Sequence, residues 1–183
     1  MNIFVLDKDP VRAAQMQCDK HVVKMTLETA QILCTVVRER ASEGYADTFL
    51  YRATHKNHPC TKWAGASRDN YKWLIKHFDA LAKEYKYRYG REHKSHVKFG
   101  KYLLIEALRV PTGELTPFAL AMPDKFKLIG DPVQAYRAYY KYEKAKKFAL
   151  VYTRRQKPEW LGDEDELQQL ELPVQGYQTN MGL

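Results

Sequence analysis

The 183-residue chain has no apolar run long enough to cross a membrane, and its first residues lack a basic stretch leading into an apolar core. The first absence argues against a transmembrane helix, which needs about 20 such residues, and the second against a secretory leader. Cysteine is scarce. Cys18, Cys34 and Cys60 are an odd number without disulfide-like spacing, so a reduced, intracellular protein is expected. Also missing are an internal repeat, a glycine-rich phosphate loop, and any polar–apolar alternation long enough for a sheet. After Trp160 the chain has no Lys or Arg.

Thirty basic side chains stand against twenty-two acidic ones. Five of the acids (Asp163, Glu164, Asp165, Glu166 and Glu171) follow Trp160, leaving the preceding residues with thirty bases against seventeen acids, a balance of +13. A body this basic and rich in tyrosine points to a polyanionic partner, nucleic acid first. The alternative is a lysine-rich solvated surface. The acidic end reads as a solvated run.

What is present is helical periodicity. Asn2–Leu6 is a short apolar segment, extended and docked on the core. Asp9-Pro10 is a cap followed by proline at the first helical position. The apolar positions Ala14, Val22, Met25, Ala30, Leu33, Cys34 and Val37 predict one helix of about thirty residues running to Arg40. Residues 44–57 read as a connection. A second long helix is expected from Asn57 or Pro59 to Gly90, with Asn70 on its solvated side, and a third from Ser95 to Leu108 that buries Val97, Tyr102, Leu104, Ile105 and Leu108. Asp131-Pro132 repeats the cap-and-proline start and launches a helix that stacks Arg137, Lys141 and Lys144 on one face. His77, His93 and His96 fall at surface positions. These elements predict an all-α single domain of three to four main helices over residues 1–160, with an extended N-terminal segment and an acidic tail at 161–183.

Three chemistries compete for the polar residues. Cys18 with His21, and His55, His58 and Cys60, could hold zinc for a metal-dependent nuclease or hydrolase, although the spacing matches no closed finger. A cysteine nucleophile at Cys18 lacks any cue for a depressed pKa. The third centres on Asp19, His21 and Glu28. His21 and Glu28 are seven residues apart, so they project from one side of a helix, with Lys24 between them. Glu28 could equally be a surface partner of Lys24.

The pattern Asp19-x-His21 with Glu28 seven positions on, in a first long helix, resembles the pyrimidine dimer DNA glycosylases of the T-even phage endonuclease V type. His58, Lys62-Trp63, Trp73-Leu74, Leu81, Glu84, Arg88 and Gly90 resemble that family's second helix. The likeness covers residues 1–90, with a weaker echo in the segment before Trp160. It implies a DNA glycosylase acting on a damaged or modified pyrimidine, with an associated AP-lyase step, no cofactor and no metal. Its substrate would be double-stranded DNA, and it would be a monomer in the cytoplasm, phage-encoded members acting in the host cell.

In the mechanism so implied, an α-amine at the chain start attacks C1′ of the damaged nucleotide, the base leaves, an imine forms, and the helix Glu supports both steps. An α-amine, with an ordinary pKa of about 8, keeps a neutral fraction of about a tenth near pH 7, far more than a free lysine. The catalytic candidates are then Glu28, His21 and the amine of Met1 or Asn2, with Lys20 or Lys24 as substitutes. The DNA-binding candidates are Lys20, Lys24, His58, Lys62, Arg88, Arg91, Arg137 and Lys141. Two departures stand out: Asn2 replaces the family's small second residue, and Leu27 and Gln31 replace arginines that flank its Glu. A non-catalytic nucleic-acid- or nucleotide-binding protein on the same scaffold is the alternative reading.

Overall fold

In the computed structural model, residues 1–42, 44, 49–127 and 130–162 are described, and no strand occurs among them. The acidic run expected at the chain end therefore lies, from Asp163 on, outside the described residues. Two long helices, α2 (Asp19–Arg38) and α4 (Arg68–Tyr89), pack against each other. Helix α1 (Pro10–Gln15) lies on α4, α3 (Pro59–Ala66) touches both long helices, and so does α5 (Lys94–Ile105). A loop leads to α6 (Asp124–Lys127) and α7 (Pro132–Tyr139), which runs through a π-helical turn, Tyr140–Lys144, into α8 (Ala145–Lys147). The architecture is all-α, as the periodicity predicts.

The expected thirty-residue first helix is two helices. Asp9 caps α1, its Oδ1 accepting from the N–H groups of Val11 and Arg12 at 2.8 Å. The chain then breaks at Met16–Cys18 because the next donors are claimed from outside: Cys18 N–H donates to the Tyr140 hydroxyl (2.9 Å) and Asp19 N–H to the Val151 carbonyl (2.8 Å). Helix α2 starts afresh there.

The second long helix is divided for the same reason. Ser67 is extended (φ −144°, ψ 156°), and the N–H groups of Arg68 and Asp69 donate to the carbonyls of Pro111 and Gly113. His58, rather than Asn57, caps α3 through Nδ1. Asn70 is fully buried and not solvated: its amide donates to Trp63 O and Thr116 Oγ1, both at 2.8 Å, and accepts from Thr116 N–H.

Helix α5 turns the other way from expectation. Val97, Leu104, Ile105 and Leu108 are 70 %, 57 %, 67 % and 73 % exposed, while Phe99 and Leu103 are buried. Apolar residues surround α5, so its period cannot select a face. The aromatic partners Phe49 and Tyr51, with ring centroids 5.5 and 4.6 Å from Phe99, select it.

The chain start is fixed by burial. Ile3, Phe4, Val5 and Leu6 are all inside, each side chain stabilising its position by roughly 1.5–3 kcal/mol relative to exposure. Asn2 shapes the segment: Oδ1 accepts from the N–H groups of Ile3 and Phe4, and Nδ2 donates to the Ala121 carbonyl at 2.7 Å. Phe4 then adopts φ +40°, a left-handed conformation that costs a non-glycine residue on the order of 1–3 kcal/mol.

Candidate active site

Glu28 faces the chain start from the middle of α2. Its Oε2 accepts from the Asn2 N–H at 3.1 Å and lies 3.8 Å from the Met1 amine. Its Oε1 is 3.4 Å from Lys24 Nζ, one turn back on the same helix. The carboxylate side chain is 13 % exposed, whereas that of Lys24 is 64 % exposed. These groups line a solvent-open cavity of about 240 Å³, walled by Phe4, His21, Tyr139 and Lys144. Larger grooves lie elsewhere on the surface.

His21 is 5 % exposed. Its ring stacks on Phe4, 4.4 Å between centroids, and its Nδ1 is 2.7 Å from the Tyr140 hydroxyl. Burial, reinforced by the cations of Lys144, Lys24 and Lys20, depresses its pKa to about 3. The imidazole is therefore neutral near pH 7.

His58 approaches from α3 and contacts the Met1 backbone; burial first, then the N-terminal charge and His55, depress its pKa. Because Nδ1 accepts from Cys60 N–H, the proton of the neutral ring sits on Nε2.

The fold thus brings Met1, Asn2, His21, Lys24 and Glu28 into one cavity with His58 beside it. Lys20 is exposed one turn before Lys24, its ammonium 4.4 Å from the Phe148 ring centroid. Lys62 is exposed on α3, one turn after His58, and Lys141 is half-buried in the π turn. Arg91 is exposed just past the end of α4, beside Tyr85.

Arg88 requires a correction. Its side chain is wholly buried, and its guanidinium is bonded to Glu84 (2.8 Å), Asp19 (2.8 Å) and the Gln15 carbonyl (3.1 Å). No phosphate can reach it. Arg155 donates to both carboxylate oxygens of Glu84, sharing Oε1 with Arg88, and Thr153 donates to Asp19 from N–H and Oγ1. Burial pushes Asp19 up, but the Thr153 bonds and Arg88 outweigh it and hold its carboxyl below the usual range. Arg88 and Asp19 thus tie α4, α2 and residues 153–155 together.

Arg137 does not share a face with Lys144. It donates to the Leu6 carbonyl and lies over Trp160 in a separate depression. The π turn between them adds a residue to the local period and rotates Lys144 into the Glu28 cavity. Phe4 and Tyr139 line the cavity although the sequence pattern did not single them out, and Lys144 joins them instead of the basic face expected for it; the tyrosine-rich run offered the signal, but only its π turn sets the phase.

The metal reading is corrected as well. Among the described residues no three His, Cys, Asp or Glu side chains come together to hold an ion. Cys18 and Cys60 are buried, and burial pushes the Cys60 thiol up to about 12.

An all-α chain whose own N-terminal amine is set against a largely covered carboxylate, in a cavity lined by lysines, defines a class of protein by its site. The family model described as pyrimidine dimer DNA glycosylase matches residues 1–98, and the chain belongs to that family. The match spans α1 to α4 and includes Met1, Asn2, His21, Glu28 and His58. No curated protein and no solved structure matches the chain. Membership makes the protein a DNA glycosylase with DNA as its substrate class.

Proposed function

We propose that the protein excises a damaged or modified pyrimidine from duplex DNA by amine attack, and that it also cleaves the resulting abasic strand. The observation that carries this reading is Glu28 Oε2 set 3.8 Å from the Met1 amine and 3.1 Å from the Asn2 nitrogen. The neutral α-amine of Met1 bonds to C1′ of the extruded nucleotide. The glycosidic bond breaks, and its electron pair leaves with the base, which takes up a proton. The amine then loses its proton to Glu28, the C1′–O4′ bond opens with protonation of O4′, and an imine remains. Removal of a C2′ proton expels the 3′ phosphate.

Lys24, Lys144 and Lys20 supply positive charge around the cavity, taking the place of the arginines that Leu27 and Gln31 replace. Lys62, Lys141 and Arg91 extend that charge across the surface. Extruding a nucleotide costs a few kcal/mol, which such phosphate contacts offset. His21, neutral and held by Tyr140, donates or accepts a hydrogen bond at the sugar.

Borohydride trapping tests the proposal. Duplex DNA carrying a cyclobutane pyrimidine dimer or an abasic site is incubated with protein and reduced, and the adduct is mapped by mass spectrometry. The expected result is a covalent link at the Met1 amine, lost in Glu28→Gln. A link at Asn2 would show that Met1 is removed, and one at Lys20 or Lys24 would move the nucleophile. DNA binding without any adduct on either substrate would favour the non-catalytic reading.

A further inference from the structure

The outward side of α5 and of the 3-10 turn behind it (Glu106–Arg109) is apolar and not covered by any of the described residues. Leu104, Ile105 and Leu108, with the edge of Ile75, floor a concavity of about 480 Å³ rimmed by Arg68, Lys72 and Lys76. Its one acid, Asp79, is 2.9 Å from His96 Nε2. This concavity shares Lys76 and Asp79 with a second depression along the outer side of α4, of about 580 Å³, where Val11 and Tyr87 are exposed beside Lys76 and Lys83. The second shares Gln15 and Arg155 with a third, beside Trp160, which carries Arg12, Arg154 and Lys157. The three form one trough. It begins among arginines where the described chain ends, at Gly162, and finishes on an aliphatic floor with a cationic rim.

The sequence after Gly162 has the complementary order. Asp163, Glu164, Asp165 and Glu166 come first, followed by Leu167, Leu170, Leu172 and Val174, with a single further acid, Glu171, and no base. The reach is sufficient. From Glu84, which binds Arg155, back to Arg68 the helix rises about 24 Å at 1.5 Å per residue, whereas residues 163–174 can extend over about 40 Å.

We propose that this trough is the docking site of the chain's own segment 163–174, its acids meeting the arginines near Trp160 and its leucines covering Leu104, Ile105 and Leu108. The match of charge and of apolar order along the path selects this occupant. A second copy would bring the same segment only by bimolecular association, whereas the chain's own segment is tethered at the mouth of the trough, at Gly162, which raises its effective concentration there. The inference is independent of the chemistry at Glu28.

The test uses the full chain with Leu108 replaced by the photo-crosslinking residue p-benzoylphenylalanine, prepared as an equal mixture of light- and heavy-isotope protein. Irradiation is expected to give links to residues 163–174 within single-isotope chains, unchanged on tenfold dilution and lost in Leu167→Asp/Leu170→Asp. Mixed-isotope links would overturn the proposal in favour of a second copy, and the absence of links to 163–174 would overturn it outright. Amide exchange gives a second readout without the probe. Residues 104–110 should exchange at least fivefold faster in Leu167→Asp/Leu170→Asp, and equal rates would also refute the docking.

Discussion

His77 shows how a single residue changes meaning on folding. By pattern it belongs with His93 and His96 on a polar surface, yet it is fully buried: Nδ1–H donates to the Pro10 carbonyl (2.9 Å), Nε2 accepts from the Gln17 amide (3.2 Å), and the ring stacks on Trp73. Burial depresses its pKa to about 4. A depressed value means that the unfolded chain takes the proton first. The contribution of His77 to stability is thus complete above its ordinary pKa of 6.5, declines as pH falls from about 6.5 to about 4, and changes no further below that. The loss across the window is about 3 kcal/mol at most, with His21 declining alongside. Urea midpoints should therefore drop steadily between pH 6.5 and 4.5 and do so less steeply in His77→Gln; midpoints flat across that range would mean that the imidazole is not sealed. The partners of His77 come from α1 and the break after it.

Helix ends were the most readable elements. Asp9 and Asp131 each cap a helix whose next residue is proline, Asp131 accepting from the N–H groups of Val133 and Gln134. Gly90 ends α4 at φ +68°, and a Cβ there would meet nothing within 4 Å. The cost of Gly90→Ala is therefore backbone strain alone, about 1 kcal/mol, and the thermal midpoint should fall by about 2–4 °C. A much larger fall would reveal packing at this site that the structure does not contain.

Helix interiors were less readable. The breaks at Met16–Cys18 and at Ser67 interrupt good helical periods, because backbone donors are claimed by Tyr140, Val151, Pro111 and Gly113. On α5 the period identified a helix but not the side it buries. Arg88 and Lys144 both depart from expectation: the expected DNA contact Arg88 ends up inside an ion-pair network, and Lys144, expected on one face with Arg137 and Lys141, is turned by a π segment into the cavity.

For the whole molecule, the +13 balance before Trp160 governs encounter with DNA. If about six phosphates are contacted, affinity should fall roughly a thousandfold between 50 and 200 mM salt. Measured on Glu28→Gln, so that no turnover intervenes, the slope of log affinity against log salt should decrease by about 2 in Lys24→Gln/Lys144→Gln. An unchanged slope would place the phosphate contacts away from the cavity.

Composition, caps and period by themselves determined an all-α protein, the two long helical regions, and the apposition of His21, Lys24 and Glu28 on one side of α2, since these depend only on local stereochemistry and on which stretches must be buried. Only the tertiary structure decided that Met1 would meet Glu28, that Tyr140 would hold His21, that Lys144 would face the cavity and that Arg88 would be buried. The first two of those outcomes join residues 27 and 119 positions apart in the chain, and a periodic pattern carries no record of the distant group that will take a given donor.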